Sequence, residues 1–116
     1  MHELSLVTEM LDIIADYAAR HGFRRVNSLK LSCGCLAGIE PEALQFAFAI
    51  QSQGTTAAGA VLELEILPAT ISCFTCGDDF IVATYPAACP RCGGMEVTLK
   101  GGREGLRLLE LDVEEE

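Results

Sequence analysis

The sequence predicts an α/β (α+β) fold: a small three-stranded sheet with two helices, interrupted by an inserted subdomain of different character. Three observations carry this. Apolar residues recur at intervals of three and four in two stretches. They alternate at intervals of two in three others. Between the last two alternating stretches lie four cysteines, interspersed with prolines and paired glycines.

Leu4, Val7, Leu11, Ile14 and Ala18 form one stripe on a helix over about residues 4–20, and His21-Gly22 is its stop. From Val26 to Leu36 the period is two. Leu29, Leu31, Cys33 and Cys35 share one face of this strand, and Lys30, Ser32 and Gly34 share the other. A second helix begins near Glu40-Pro41, because proline at the first helical position has a preset φ and no amide to waste. Its face is Leu44, Ala47, Phe48 and Gln51, with Gly54 near its end and a small-residue loop over Ala57–Gly59. Leu62, Leu64 and Ile66 alternate with solvent-facing Glu63 and Glu65 in a second strand, ended by Pro68. Leu106 and Leu108 alternate, then Leu109, Leu111 and Val113 do so in the opposite phase. This reads as a third strand, bulged or strongly twisted near Leu108 and Leu109. Residues 1–68 and 103–116 are therefore expected to form the α/β body, and 69–102 an insert folded around metal.

A chain of 116 residues fits one compact domain with one small subdomain, and 50% hydrophobic residues supply a core without disulfides. No apolar run approaches the ~20 residues of a membrane span. No charged-then-apolar leader opens the sequence, so the expected compartment is the cytoplasm. The formal charge is −9, and four thiolates holding a divalent ion make it −11. Such a chain is repelled by phosphate backbones, which argues against nucleic acid and favours cations or basic protein surfaces. Glu114-Glu115-Glu116 reads as a solvated, frayed tail.

The cysteines define the strongest motif: Cys73-Phe74-Thr75-Cys76, twelve residues, then Cys89-Pro90-Arg91-Cys92. Each Cys-x-x-Cys turn lets two sulfurs converge on one ion, and two turns close a tetrahedron. Gly77 and Gly93 follow the second thiolate of each pair, where positive backbone angles are needed. The plainest reading is structural zinc in a zinc-ribbon-like insert, with no open position for water activation and so no enzyme activity. A rubredoxin-like iron centre uses similar geometry. A nucleic-acid-binding ribbon is disfavoured, since the segment carries only Arg91 and Lys100 as basic residues. Cys33 and Cys35 read as small, buried apolar residues. His21 reads as a helix-end cation, and Met10 and Met95 as packing residues.

Met1-His2-Glu3 is the next feature. Methionine is normally retained before a bulky residue such as His2. Main-chain nitrogens near residue 2 and the His2 imidazole can wrap one ion in fused chelate rings, a donor set that suits Ni(II) or Cu(II). The alternative is a solvated histidine at a frayed terminus.

Met1-His2-Glu3-Leu4-Ser5-Leu6, a helix, a strand reaching Gly34-x-Leu36, Gly38-Ile39-Glu40-Pro41-Glu42-Ala43-Leu44 and the double Cys-x-x-Cys, in that order, closely resemble the HypA/HybF family over essentially the whole chain. That resemblance implies a nickel metallochaperone for NiFe-hydrogenase maturation. It would comprise an N-terminal α/β nickel-binding domain and an inserted zinc domain. Nickel would be held by His2 with main-chain nitrogen near the terminus and of Glu3. A carboxylate also approaches nickel in some relatives, here Glu40, which reads equally well as a helix-start acid. Cys73, Cys76, Cys89 and Cys92 would hold zinc. The implied partners are a HypB-type GTPase and the hydrogenase large-subunit precursor, and a homodimer is allowed. Cys33-Gly34-Cys35 departs from the aliphatic residue and glutamate of many relatives. The rival readings are a zinc-stabilised adaptor or scaffold and a rubredoxin-like electron carrier. Nickel affinity is expected to fall on acidification, because ligands must lose protons to bind.

Overall fold

The computed structural model describes residues 2–115. It contains, in order, α1 (His2–His21), β1 (Phe23–Gly34), α2 (Pro41–Gln51), β2 (Val61–Leu67), β3 (Ala69–Cys73), β4 (Asp79–Val82), β5 (Val97–Gly101) and β6 (Arg107–Glu115). The chain divides into two compact units. One comprises the residues up to Ser32, Ile39–Glu65 and those from Leu106 on; the other comprises Cys33–Gly38 and Ile66–Gly105.

The first unit holds both helices and the sheet β2-β1-β6. Val7, Met10 and Ile14 are the buried stripe of α1, and Leu44, Ala47 and Phe48 that of α2. They meet Val26, Leu29 and Leu31 of β1 in one apolar core. Helix α1 starts at His2, earlier than its apolar stripe, because the polar first turn adds nothing to the stripe. Gly22 closes it, its amide donating to the Ala18 carbonyl at 2.9 Å. A polar clip joins the helices: Thr8 Oγ1 donates to Gln51 Oε1 at 2.7 Å, and Gln51 Nε2 donates to the Leu4 carbonyl at 3.3 Å.

The three expected strands are present as β1, β2 and β6, and β1 pairs antiparallel with β6. The phase change in the last strand is a bulge. Lys30 faces Glu110 and Leu31 faces Leu108, which leaves Leu109 as the extra residue. Glu114 and Glu115 correct the expectation of a frayed tail. They belong to β6 opposite Arg25 and Phe23, where opposite charges across the strands favour Glu114 beside Arg25. Glu116 lies outside the described residues.

The second unit holds an antiparallel sheet in the order β4-β3-β5, regular structure inside the stretch expected to fold around metal. Ile71 is its fully buried aliphatic residue, facing Phe80 on one side and Leu99 on the other. The stretch 33–38 is tied in by main-chain bonds. The amide of Gly34 donates to the Glu104 carbonyl at 2.8 Å, and that of Leu36 to the Gly102 carbonyl at 2.6 Å. Gly34 must be glycine, because a Cβ there would collide with the Gly102 carbonyl.

Candidate metal centre

Cys73 is the last residue of β3, and Cys76 follows in the turn it starts; Cys89 and Cys92 flank a second turn. The two turns are built alike. The amide of Gly77 donates to the Cys73 carbonyl at 2.8 Å, and that of Gly93 to the Cys89 carbonyl at 2.9 Å. Gly77 and Gly93 have φ of 76° and 74°, as their places after the second cysteine require. This turn points both of its sulfurs the same way. Amides also face sulfur: Cys76 N to Cys73 Sγ and Gly94 N to Cys92 Sγ, each at 3.4 Å.

All four Sγ atoms lie within 4.8 Å of one another. Cys73–Cys92 and Cys76–Cys89 are each 3.8 Å apart, sulfur to sulfur. Thiolates ~2.3 Å from a central ion stand about 3.8 Å apart at the corners of a tetrahedron. The cluster therefore has the size and the donor set of a four-thiolate metal site. Without an ion the thiols cannot all carry charge. The Cys92 backbone amide is the chief influence holding Cys89 down to about 6. Desolvation, followed by hydrogen bonds among the sister thiols, pushes Cys76 up to about 12. A bound dication removes that conflict by replacing the protons.

The sequence reading missed a clasp between the two turns. Arg91, inside the second Cys-x-x-Cys, donates from Nη1 to Asp78 Oδ2 at 2.6 Å, and its guanidinium lies 5.3 Å from the centre of the Phe80 ring. Opposite charges placed in the two turns were the available signal.

The N-terminal residues lie in the other unit. His2 is the exposed first residue of α1. Glu3, in the same turn, accepts at Oε2 from the Glu40 amide at 3.2 Å. That bond is the main cause holding the Glu3 carboxyl below its ordinary range, with His2 assisting through its charge. Glu40 is the N-cap of α2, and its side chain accepts from Glu42 N at 3.4 Å, with Pro41 at the first helical position. A bond of that length is weak. Glu3 and Glu40 are thus brought together across 37 residues of sequence. Met1 lies outside the described residues.

The family model described as "Hydrogenase/urease nickel incorporation, metallochaperone, hypA" matches residues 1–113. A hydrogenase maturation factor HypA from Syntrophus aciditrophicus is 57% identical over 114 residues, covering 98% of this chain and all of the relative. One from Acidithiobacillus ferrooxidans is 42% identical with the same coverage. The chain belongs to the HypA family. Two solution structures of HypA proteins share the fold. The Ni metallochaperone HypA from Helicobacter pylori superposes with a TM-score of 0.65 at 19% identity over 98% of each chain. The other has a TM-score of 0.71 at 21% identity, covering 100% of this chain and 98% of its own.

Cys33 and Cys35 part company. Cys33 is buried, and desolvation, with a smaller contribution from Cys35, raises its thiol pKa. Cys35 corrects the expectation of two buried thiols: it is exposed, because β1 ends at Gly34 and the chain turns. Met95 is also exposed rather than packed, whereas Met10 is in the core. His21 closes α1 as an exposed helix-end residue. Among the described residues no helix is long and apolar enough to cross a membrane.

Proposed function

We propose that this chain is a nickel metallochaperone that takes up Ni(II) at its N-terminus. With a HypB-type GTPase, it delivers the ion to the large-subunit precursor during NiFe-hydrogenase maturation. Nickel is assigned to the α/β domain of residues 1–68 and 103–116. Its donors are the His2 imidazole, main-chain nitrogen near the terminus and of Glu3, and the Glu40 carboxylate. Zinc is assigned to Cys73, Cys76, Cys89 and Cys92 in the inserted residues 69–102. It serves the fold, and the chain catalyses no covalent step. The working compartment is the cytoplasm.

The observation that carries the nickel reading is the bond from the Glu40 amide to the Glu3 carboxylate. It sets the first turn of α1 beside the start of α2, so that nitrogen donors and a second carboxylate belong to one neighbourhood. Glu40 caps α2 only through a long bond, so little opposes its carboxylate turning to an ion. The amides of a first helical turn have no intrahelical acceptor, so using one as a metal donor breaks no helix bond. Nitrogen donors of this kind suit Ni(II), whereas four thiolates suit zinc. Zinc tetrathiolate has no open position, which fits a structural rather than a transferring role.

The test is an N-terminal extension of a few residues. It should abolish the nickel chelate and leave one tightly held zinc, measured by Ni(II) titration and elemental analysis. Unchanged Ni(II) uptake by the extended protein would sink the reading.

A further inference from the structure

Strand β6 is an outer strand of the sheet β2-β1-β6, and among the described residues no strand pairs with its other edge. Its coverage is poor. Leu108, Leu111 and Val113 pack against the core, yet no residue of β6 is buried. By contrast, Val26, Leu29 and Leu31 of neighbouring β1 are each 1% exposed or less. Along this edge runs a groove of about 430 Å³. One wall is β6 itself, from Leu108 to Leu111 and on through Val113 and Glu115; the other is Tyr17 and His21 from the last turns of α1, with Phe23. The bulged Leu109 stands 45% exposed in it. This is where a fourth strand would lie: its backbone on the β6 edge, its alternate side chains under the end of α1.

The charge selects the occupant. Glu110 and Glu115 line the groove, and Asp112 and Glu114 lie on the same strand. Arg107 is the single base of β6, and Lys30 and Arg25 of β1 face Glu110 and Glu114 across the ladder. The strand retains an acidic excess. A second copy paired edge to edge would set acid against acid, which is unfavourable for directly opposed strands. We propose that the β6 edge is a docking site for an extended basic segment of a partner protein, in which apolar residues alternate with Lys or Arg. The apolar residues enter the groove, and the bases meet the β6 carboxylates. This site is separate from both metal assignments.

The probe is a short synthetic peptide alternating Lys with Leu and Val, titrated into the metal-loaded full chain and followed by amide chemical shifts. Shifts should gather at Arg107–Glu115 and along Tyr17–Phe23, and binding should weaken with added salt. The same peptide with Glu in place of Lys should not bind. Glu110→Lys with Glu115→Lys should weaken binding on the order of tenfold. Leu109→Arg, at an exposed position, should remove binding by obstructing the groove. The proposal is overturned by an absence of shifts up to millimolar peptide, by shifts centred elsewhere, or by indifference to these substitutions. Self-association through β6 would overturn it equally.

Discussion

The two units are held together by different chemistry. The first has a core of aliphatic and aromatic side chains from both helices and the sheet, including Ile14, Leu29, Leu31, Leu44 and Phe48. The second buries Ala69 and Ile71, and otherwise its buried apolar residues are cysteines: Cys33, Cys73 and Cys89. A unit with one large buried aliphatic residue gains little from apolar burial, since a few dozen residues bury too small a fraction of their surface. With zinc assigned to the four sulfurs as proposed, metal–sulfur bonds replace the missing core. The difference teaches where each unit is vulnerable: the first to cavities, the second to loss of its ion.

The largest effect should follow from breaking the sulfur cage. Apparent binding energy of structural zinc is on the order of 10 kcal/mol or more, far beyond what Ile71 can restore. Cys89→Ser or a strong chelator should therefore unfold residues 69–102 while the helices persist. Amide exchange resolved by residue would check this; protection of β3 and β5 surviving metal loss would refute it. The converse cut is Leu44→Ala in α2, a residue with no exposed surface. It should cost about 2–5 kcal/mol in denaturant unfolding of the helical unit. The zinc content should stay unchanged.

Acid sharpens the comparison. The Glu3 carboxyl is held below its ordinary range, chiefly by the Glu40 amide. A depressed carboxyl pKa contributes stability that is present above the unfolded value and lost as pH falls through the folded one. In nickel-free protein the Glu40 amide shift should thus titrate with a midpoint below that of an ordinary carboxylate, and Glu3→Gln should flatten the titration. The smallest effect belongs to the Asp78–Arg91 clasp, whose side chains are 52% and 60% exposed. Screening limits such a pair to about 0–1 kcal/mol. Arg91→Ala should speed zinc release to a chelator only a few-fold, and a stopped-flow comparison with Asp78→Ala would show whether the two act as one.

Long periodic elements were legible in the sequence because periodicity reports one buried face. Both helices and β1, β2 and β6 follow from it, and even the Leu109 bulge follows from a phase slip. The strands of the metal unit were not legible in the same way. Ala69, Ile71 and Cys73 do alternate with Thr70 and Ser72, but β3 is short and its last inward residue is a cysteine of the four-sulfur cluster. Its partners β4 and β5 are shorter still or half-exposed, so no face stands out. Spacing alone located the four sulfurs, since a Cys-x-x-Cys turn fixes their geometry locally. The Glu3–Glu40 contact joins residues remote in sequence, and nothing local encodes it; the Asp78–Arg91 clasp left only a faint signal, one opposite charge in each turn. Cys35 was misplaced because one extra residue of strand would have kept it on the inner face, and the chain turns at Gly34 instead.

The central claim is that transferable nickel and structural zinc occupy chemically distinct donor sets. Elemental analysis with Ni(II) titration of the natural chain against His2→Ala tests it directly. The expected result is one zinc in both proteins and tight nickel uptake only in the natural chain. Full nickel binding by His2→Ala, or loss of zinc along with nickel, would contradict it.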